Sequence, residues 1–391
     1  MSFYIDLTEF LTNPITTGIQ RIEGEMCRYL PHGAAIPVRF HAGRFLALSP
    51  ALIEAIGRYF RDPSESAVEQ SAVKEIRRIG AIEKGTPVKV FQSDTVLVPE
   101  VIIEQKRLAF LNALTDEELQ CYRFIIYDLL PITHPEYFTT DWLLEICTYY
   151  KTLRRAACCG FISEDTRDDY YRRLKRTGTR GGVVLPLGSD GLGPKSERSN
   201  SIRPLKFSVL GTIEPRKNHE LILEAFEPLL RQVEGLTLSF IGKMGWVDPK
   251  FAHKVYALAA DKNSGFQFHS APDDGTIRQH IEQSRATIYI STAEGYGLPP
   301  VESLWVGTPV IASKMIPSLK SLAPKGIRFV EPLNLLNLRR VVLEFLDDTY
   351  AAQAVEETKS LNLPTWHSFT QEVLRWCGQD QVERTQIGAY R

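Results

Sequence analysis

Along the second half of the chain, short uninterrupted apolar runs alternate with longer stretches whose apolar positions recur at helical spacing. The runs at 207–211, 236–242, 266–269, 287–291, 310–313 and 327–330 predict strands, and 218–231, 249–260, 274–284 and 300–306 predict helices. Strands this continuously apolar are buried on both faces, which implies a parallel, doubly wound α/β sheet covered by helices. The first half follows the same alternation with more interruption. It suggests strands at 3–7, 36–40, 88–91, 124–127 and 158–163, with helices after Thr17 and around 142–154 and 168–176. Between the halves, the stretch from Gly188 to Ser201 is dense in glycine, serine and proline, and a domain boundary is placed there.

Length supports two domains, because single hydrophobic cores stop growing at roughly 250 to 300 residues and this chain has 391. Two domains imply a cleft. A hydrophobic fraction of 43%, a charged fraction of 24% and a net charge of -1 are ordinary for a globular protein and give no global attraction to nucleic acid. The six cysteines, among them the adjacent Cys158 and Cys159, lack ligand-like spacing and read as free thiols of a reducing compartment. The start Met-Ser-Phe-Tyr-Ile-Asp has no basic region leading into an apolar run, so no signal peptide is expected. No apolar run approaches the ~20 residues that cross a bilayer. The expected location is the cytoplasm, at most peripheral to the inner membrane face.

Candidate chemistry concentrates at two strand ends. The strand at 287–291 leads into Glu294-Gly-Tyr-Gly-Leu-Pro-Pro-Val-Glu302, with a helix expected to begin at Pro299 or Pro300. A glycine turn feeding a helix N-terminus offers N–H groups and a positive dipole to an anion, and Gly295 and Gly297 let the backbone approach it. A diphosphate fits that description. The same residues are equally a capped turn, with Glu302 as an acidic residue of the first helical turn. The strand at 207–211 leads into Thr212-Ile-Glu-Pro-Arg216-Lys217-Asn, just before another helix. Two cations there oppose the helix dipole unless an anion compensates, and Arg and Lys suit phosphate. The alternative is a solvated pair on a loop. Both segments follow strands of one inferred sheet, on the edge where open α/β folds bind ligands.

These segments resemble the retaining glycosyltransferases of family 4, which have the GT-B fold: two Rossmann-like domains facing across a cleft. Glu294 to Glu302 resembles the family signature of two glutamates separated by seven residues, with Tyr296 in the aromatic place. Gly211-Thr-Ile-Glu-Pro-Arg-Lys-Asn-His resembles its phosphate-binding segment, and Gly307-Thr-Pro-Val-Ile-Ala-Ser the turn and strand after the signature. Tyr127-Asp-Leu-Leu-Pro is similar to a His-Asp-Leu-Xaa-Pro segment, with tyrosine where many relatives carry histidine. Leu185-Pro-Leu-Gly-Ser-Asp is similar to the entry into the interdomain linker.

The resemblance implies an acceptor-binding domain over 1–187, a linker over 188–203 and a nucleotide-sugar domain over 204–365. A C-terminal helix within 366–391 would pack back on the first domain, anchored by Trp366. It implies that Glu294 contacts the donor sugar and Glu302 the ribose, and that Arg216 and Lys217 hold the diphosphate and stabilise the leaving group. Backbone N–H groups at Gly297 and Leu298, within the turn Gly295-Tyr296-Gly297-Leu298, would assist. In the first domain Gly18, in the cleft loop Thr16-Thr-Gly-Ile-Gln-Arg21, would contact the donor, and Asp128 would position or deprotonate the acceptor hydroxyl, or else be a turn residue. Arg21 reads as a donor-phosphate contact or as surface charge. No metal and no cofactor are expected; Asp94 and the pair Asp273-Asp274 read as turn or cap residues. The basic run Arg172, Arg173, Lys175, Arg176 and Arg180 would meet anionic lipid or be a solvated helix face.

The expected partners are a nucleotide-sugar donor and a saccharide or lipid-linked glycan acceptor. Because Glu-Pro-Arg-Lys-Asn is similar to bacterial polysaccharide mannosyltransferases, GDP-mannose is the first donor to consider. Rival readings are a sugar-nucleotide epimerase or a phosphorylase on the same fold, or a non-catalytic nucleotide-sugar-binding subunit. A phosphorylase of the usual kind would need a pyridoxal-phosphate lysine site, for which no motif is present.

Overall fold

A computed structural model of the chain describes residues 2–12, 18–61, 76, 85–175, 181–196 and 203–378. The chain divides into two compact units, Met1–Gly188 with Pro364–Arg391, and Ser189–Leu363.

The second unit is a six-stranded sheet of β9 (Lys206–Leu210), β10 (Thr237–Ile241), β11 (Phe266–His269), β12 (Ala286–Tyr289), β13 (Val310–Ala312) and β14 (Ile327–Phe329). Its order is β11-β10-β9-β12-β13-β14 and every pairing is parallel. That is the doubly wound order in which direction reverses between the first and fourth strands, here β9 and β12. The apolar runs of β9, β10, β12 and β13 are buried as expected. Helix His219–Gln232 shows why the covering helices form. Ile222, Leu223, Phe226 and Leu229 fall on one stripe and are buried, Phe226 packing edge-on against Phe207 of β9 at 5.2 Å.

The first unit holds an eight-stranded sheet of order β4-β3-β2-β1-β5-β6-β7-β8. Its strands are β1 (Phe3–Asp6), β2 (Ile36–His41), β3 (Arg44–Ala47), β4 (Thr86–Pro87), β5 (Thr95–Val98), β6 (Tyr122–Ile126), β7 (Cys158–Phe161) and β8 (Val183–Val184). All pairings are parallel except β2 with β3 and β3 with β4. The strand expected at 88–91 is not one. Its Lys89 and Phe91 are exposed and only Val88 and Val90 pack partly on the core, and the central strand is instead β5, whose four residues are all buried. Asp94 is a turn residue, its carboxylate accepting from the N–H groups of Ser2 and Phe91.

Helix Trp366–Trp376 belongs to the first unit and packs on helix Gly18–Tyr29. Trp366 is fully buried there. A Cβ on Gly188 would stand 2.2 Å from the Trp366 backbone nitrogen, so the absence of a side chain at 188 is what admits the tryptophan. Among the described residues no helix is long and apolar enough to cross a membrane, and no disulfide forms.

Candidate functional site

Beyond β9 and β10 the chain closes glycine on glycine. Gly211 (φ +118°) and Gly242 (φ +151°) approach so closely that a Cβ on Gly242 would lie 2.2 Å from the Gly211 carbonyl oxygen. Ile213 N–H donates to the Lys243 carbonyl at 2.8 Å, holding the segment straight as far as Glu214. Pro215–Lys217 then make one tight turn, and Asn218, in a left-handed conformation (φ 55°), starts helix His219–Gln232. This turn is stitched to the loop after β12. The N–H of Thr292 donates to the Arg216 carbonyl at 2.8 Å, and the Asn218 side chain donates to the Ile290 carbonyl at 2.9 Å. The two segments singled out from the sequence are therefore one structure at the sheet's switch point.

The charges within it are paired. Arg216 Nη1 meets Glu294 Oε2 at 2.6 Å and donates to the Ala293 carbonyl at 2.9 Å, while Nη2 meets Glu214 Oε1 at 2.5 Å. Lys217 Nζ stands 3.9 Å from the same Glu214 oxygen, and its side chain lies over Gly211. Ser291 Oγ donates to Glu294 Oε1 at 2.9 Å. The anion that the two cations call for is thus already supplied within the chain by two carboxylates. Burial raises the Glu294 carboxyl, but the charges of Lys217 and Arg216 and the hydrogen bonds from Arg216 and Ser291 outweigh it and leave the group below its ordinary value. It is ionised at neutral pH.

Next to this network, a cavity of about 50 Å³ is lined by Lys217, His219, Ser291, Glu294, Gly297 and Leu298 among others. A larger concavity of about 490 Å³ lies around Arg328 and Glu357, but Arg328 is paired there with Glu357 at 2.8 Å and bonded to Tyr350. His219 is almost fully buried, its ring edge-on to Phe240 at 4.9 Å, and neither ring nitrogen has a hydrogen-bond partner. Burial and then the Lys217 charge push it down to about 3, so the imidazole is neutral.

The helix after the glycine turn is Leu298–Trp305, one step earlier than expected, with Gly297 (φ 87°) as its N-cap and Pro299 and Pro300 inside the first turn. Two consequences correct the sequence reading. The prolines carry no N–H, so donors before and in the first turn reduce to Gly297, Leu298 and Val301. Glu302 is not in the first turn but in the second, and is buried. The Tyr296 ring is buried as well, and the Ser318 N–H donates to its carbonyl at 2.9 Å. Gly295 sits between Glu294 and that ring.

Gly18 and Asp128 belong to the other unit. Gly18 (φ 63°) opens helix Gly18–Tyr29, in which Arg21 is buried rather than a surface charge; Thr16 and Thr17 lie outside the described residues. Asp128 follows β6, and its carboxylate accepts from the Leu130 N–H at 3.0 Å, a turn-capping geometry. Tyr127 is buried with its hydroxyl donating to the Pro99 carbonyl at 2.6 Å. Of the basic run, Arg172 pairs with Asp169 and Lys175 donates to the Ala156 carbonyl, while Arg176 and Arg180 lie outside the described residues.

Three features escaped sequence reasoning: Glu214, His219 and a buried charge cluster under β1 and β5. In the cluster, Arg107 Nη1 meets Asp6 at 2.8 Å and Glu100 at 2.7 Å, Nη2 meets Glu9 at 2.9 Å, and Glu23 is buried nearby. Glu214 and His219 stand inside the motif that carried the resemblance, and their position beside Arg216 and Lys217 was the available signal. The cluster had none, since Arg107 and Asp6 are 101 positions apart.

Residues 195–360 match the family described as glycosyl transferases group 1. The serotype-specific mannosyltransferase WbdA of Escherichia coli is 24% identical over 270 residues, a match covering 64% of this chain and 33% of that protein. The chain thus spans about a third of the length of that relative. A trehalose synthase of Rubrobacter xylanophilus is 28% identical over 118 residues, 29% of this chain and 28% of that protein. Among solved structures, Anabaena HepE in complex with UDP and glucose superimposes with a TM-score of 0.60 at 13% identity, covering 100% of both chains. A sucrose-phosphate synthase of Thermosynechococcus elongatus does so with a TM-score of 0.59 at 14% identity, again over 100% of both.

Proposed function

We propose that this chain, which belongs to the group 1 glycosyltransferases of the GT-B fold, transfers a hexose from a nucleoside-diphosphate sugar to a saccharide or glycolipid acceptor with retention of anomeric configuration. The observation that carries the reading is the stitched pair of loops at the switch point of β9 and β12. It brings Arg216, Lys217 and Glu294 together beside the N-terminus of helix Leu298–Trp305. Arg216 and Lys217 stabilise negative charge on the departing diphosphate, a role that needs preorganised cations and no proton transfer from them. The bond from the anomeric carbon to the leaving phosphate oxygen breaks as the acceptor oxygen bonds to the same face, and the acceptor proton passes to the departing phosphate. The positive charge that develops on the sugar is balanced by the leaving group. Glu294 orients the sugar through its hydroxyls, Glu302 faces the ribose, Gly18 serves donor binding, and Asp128 serves the acceptor side.

The likeness to a serotype-specific mannosyltransferase supports mannose as the sugar and a bacterial surface polysaccharide as the product, with GDP-mannose as donor and the enzyme working at the cytoplasmic face of the membrane. Incubating the purified chain with a panel of GDP- and UDP-sugars and candidate acceptors tests this. The expected result is nucleotide release from GDP-mannose with an α-linked product. An inverted linkage refutes retention, and release from another donor alone refutes mannose. Binding of nucleotide sugar without any turnover would favour a non-catalytic subunit.

A further inference from the structure

We propose that Glu214 is a positioning residue of the donor site: its buried carboxylate holds the Arg216 guanidinium in place while Glu294 exchanges Arg216 for the donor. This rests on the function proposed above.

Two carboxylates share one guanidinium, and they are not equivalent. The Glu214 side chain is 5% exposed and that of Glu294 16% exposed, so Glu294 stands nearer the solvent from which a donor arrives. Glu214 hangs from rigid backbone. Its φ and ψ are extended, Pro215 fixes the next φ, and the Glu214 carbonyl accepts from the Lys217 N–H at 3.0 Å. Glu294 instead lies in a glycine-flanked loop and has a second partner in Ser291, which holds its other oxygen. The contacts also divide by nitrogen. Glu214 takes Nη2, whereas Glu294 shares Nη1 with the Ala293 carbonyl. When Glu294 turns to the donor, Nη1 keeps its backbone acceptor and Nη2 keeps Glu214.

Electrostatics make that exchange necessary. Arg216 and Lys217 against Glu214 and Glu294 sum to zero, so a diphosphate contacts a cation here only by taking the place of one carboxylate at it. A guanidinium holding only Glu294 would tighten on it and take both groups out of use. With Nη2 fixed on Glu214, the guanidinium presents a constant edge to the diphosphate, as bidentate phosphate recognition requires. Glu214 touches no reacting atom and acts through Arg216.

The test compares the full chain with Glu214→Gln, which keeps size and removes charge. GDP and UDP affinities are measured by calorimetry, turnover with the donor found by the panel, and thermal midpoints for folding. Expected is a turnover loss of about tenfold to a hundredfold, the worth of one charge-assisted hydrogen bond. Nucleoside-diphosphate affinity should stay within about threefold, because the variant site gains a net positive charge as it loses alignment. In an Arg216→Ala background Glu214→Gln should add no further loss. Wild-type turnover in Glu214→Gln overturns the proposal, as does a further loss in the Arg216→Ala background. Equal losses of affinity and turnover with a lowered midpoint overturn it too, since they mark a purely structural role. If the unmodified chain binds neither GDP nor UDP and turns over no donor, the function itself is refuted and this proposal falls with it.

Discussion

Glu23 is buried beside the Arg107 charge cluster, and replacing it with glutamine should flatten the pH dependence of the first unit's stability. Its side chain is fully buried in helix Gly18–Tyr29, and neither carboxyl oxygen has a hydrogen-bond partner. Burial pushes the group well above its ordinary value of 4.5, the charges of Glu100 and Asp6 push in the same direction, and only Arg107 opposes them. Glu100 is raised by burial as well, but its oxygens accept from the N–H groups of Glu9 and Phe10 and from Arg107, which suits an ionised carboxylate. Of the two, Glu23 therefore holds the proton. A carboxyl whose folded value is raised stabilises the fold fully below its unfolded value, and that contribution is lost as pH rises toward the folded value. The loss runs at ~1.4 kcal/mol per pH unit. Over the range from pH 4.5 to neutrality each unit of that slope is a sizeable fraction of a domain's net stability. Glutamine has the same shape and meets the same lack of partners, so the comparison reads the proton alone. Unfolding midpoints of both proteins measured across that pH range, with the secondary-structure signal of the first unit as probe, should diverge steadily in favour of Glu23→Gln as pH rises. Parallel curves would refute the assignment of the proton to Glu23.

Three further outcomes follow from the geometry. Glu294→Ala should lower turnover by about a hundredfold or more while leaving the thermal midpoint nearly unchanged, because Arg216 retains Glu214; steady-state rates beside a melting curve decide it. Gly242→Ala should abolish nucleotide binding in calorimetry, since its methyl would press on the Gly211 carbonyl in a backbone conformation alanine avoids, and normal affinity would refute the glycine-on-glycine account. Trp366→Ala should cost about 3 to 5 kcal/mol in denaturant unfolding through the cavity it leaves beside Gly188, and a change under 1 kcal/mol would contradict its burial there.

What could be read from the sequence, and what could not, divides by the range of the interactions involved. The strands of the second unit were legible because burial on both faces leaves an unbroken apolar run, as in Phe207–Leu210 and Ala286–Tyr289, and nothing distant is needed to interpret it. The same rule should have favoured Thr95–Val98 over the alternating residues 88–91. Alternation attracts a strand reading wherever one face is half-buried, as Val88 and Val90 are, and only the assembled sheet reveals which segment is central. The start of helix Leu298–Trp305 was misplaced because proline tolerates several early positions in a first turn, and the deciding feature is the left-handed Gly297. Charges were harder still. Arg216 and Lys217 read as cations awaiting a ligand, yet whether a cation is free depends on side-chain pairing across loops: Glu294 is far from Arg216 in sequence and 2.6 Å from it in space. Asp6, Glu23, Glu100 and Arg107 gave no signal at all, since isolated charges are ordinarily solvated and their convergence is set by how β1 and β5 pair. A sequence motif therefore locates the paired loops, but the pairing of their two cations with two carboxylates is a property of the fold.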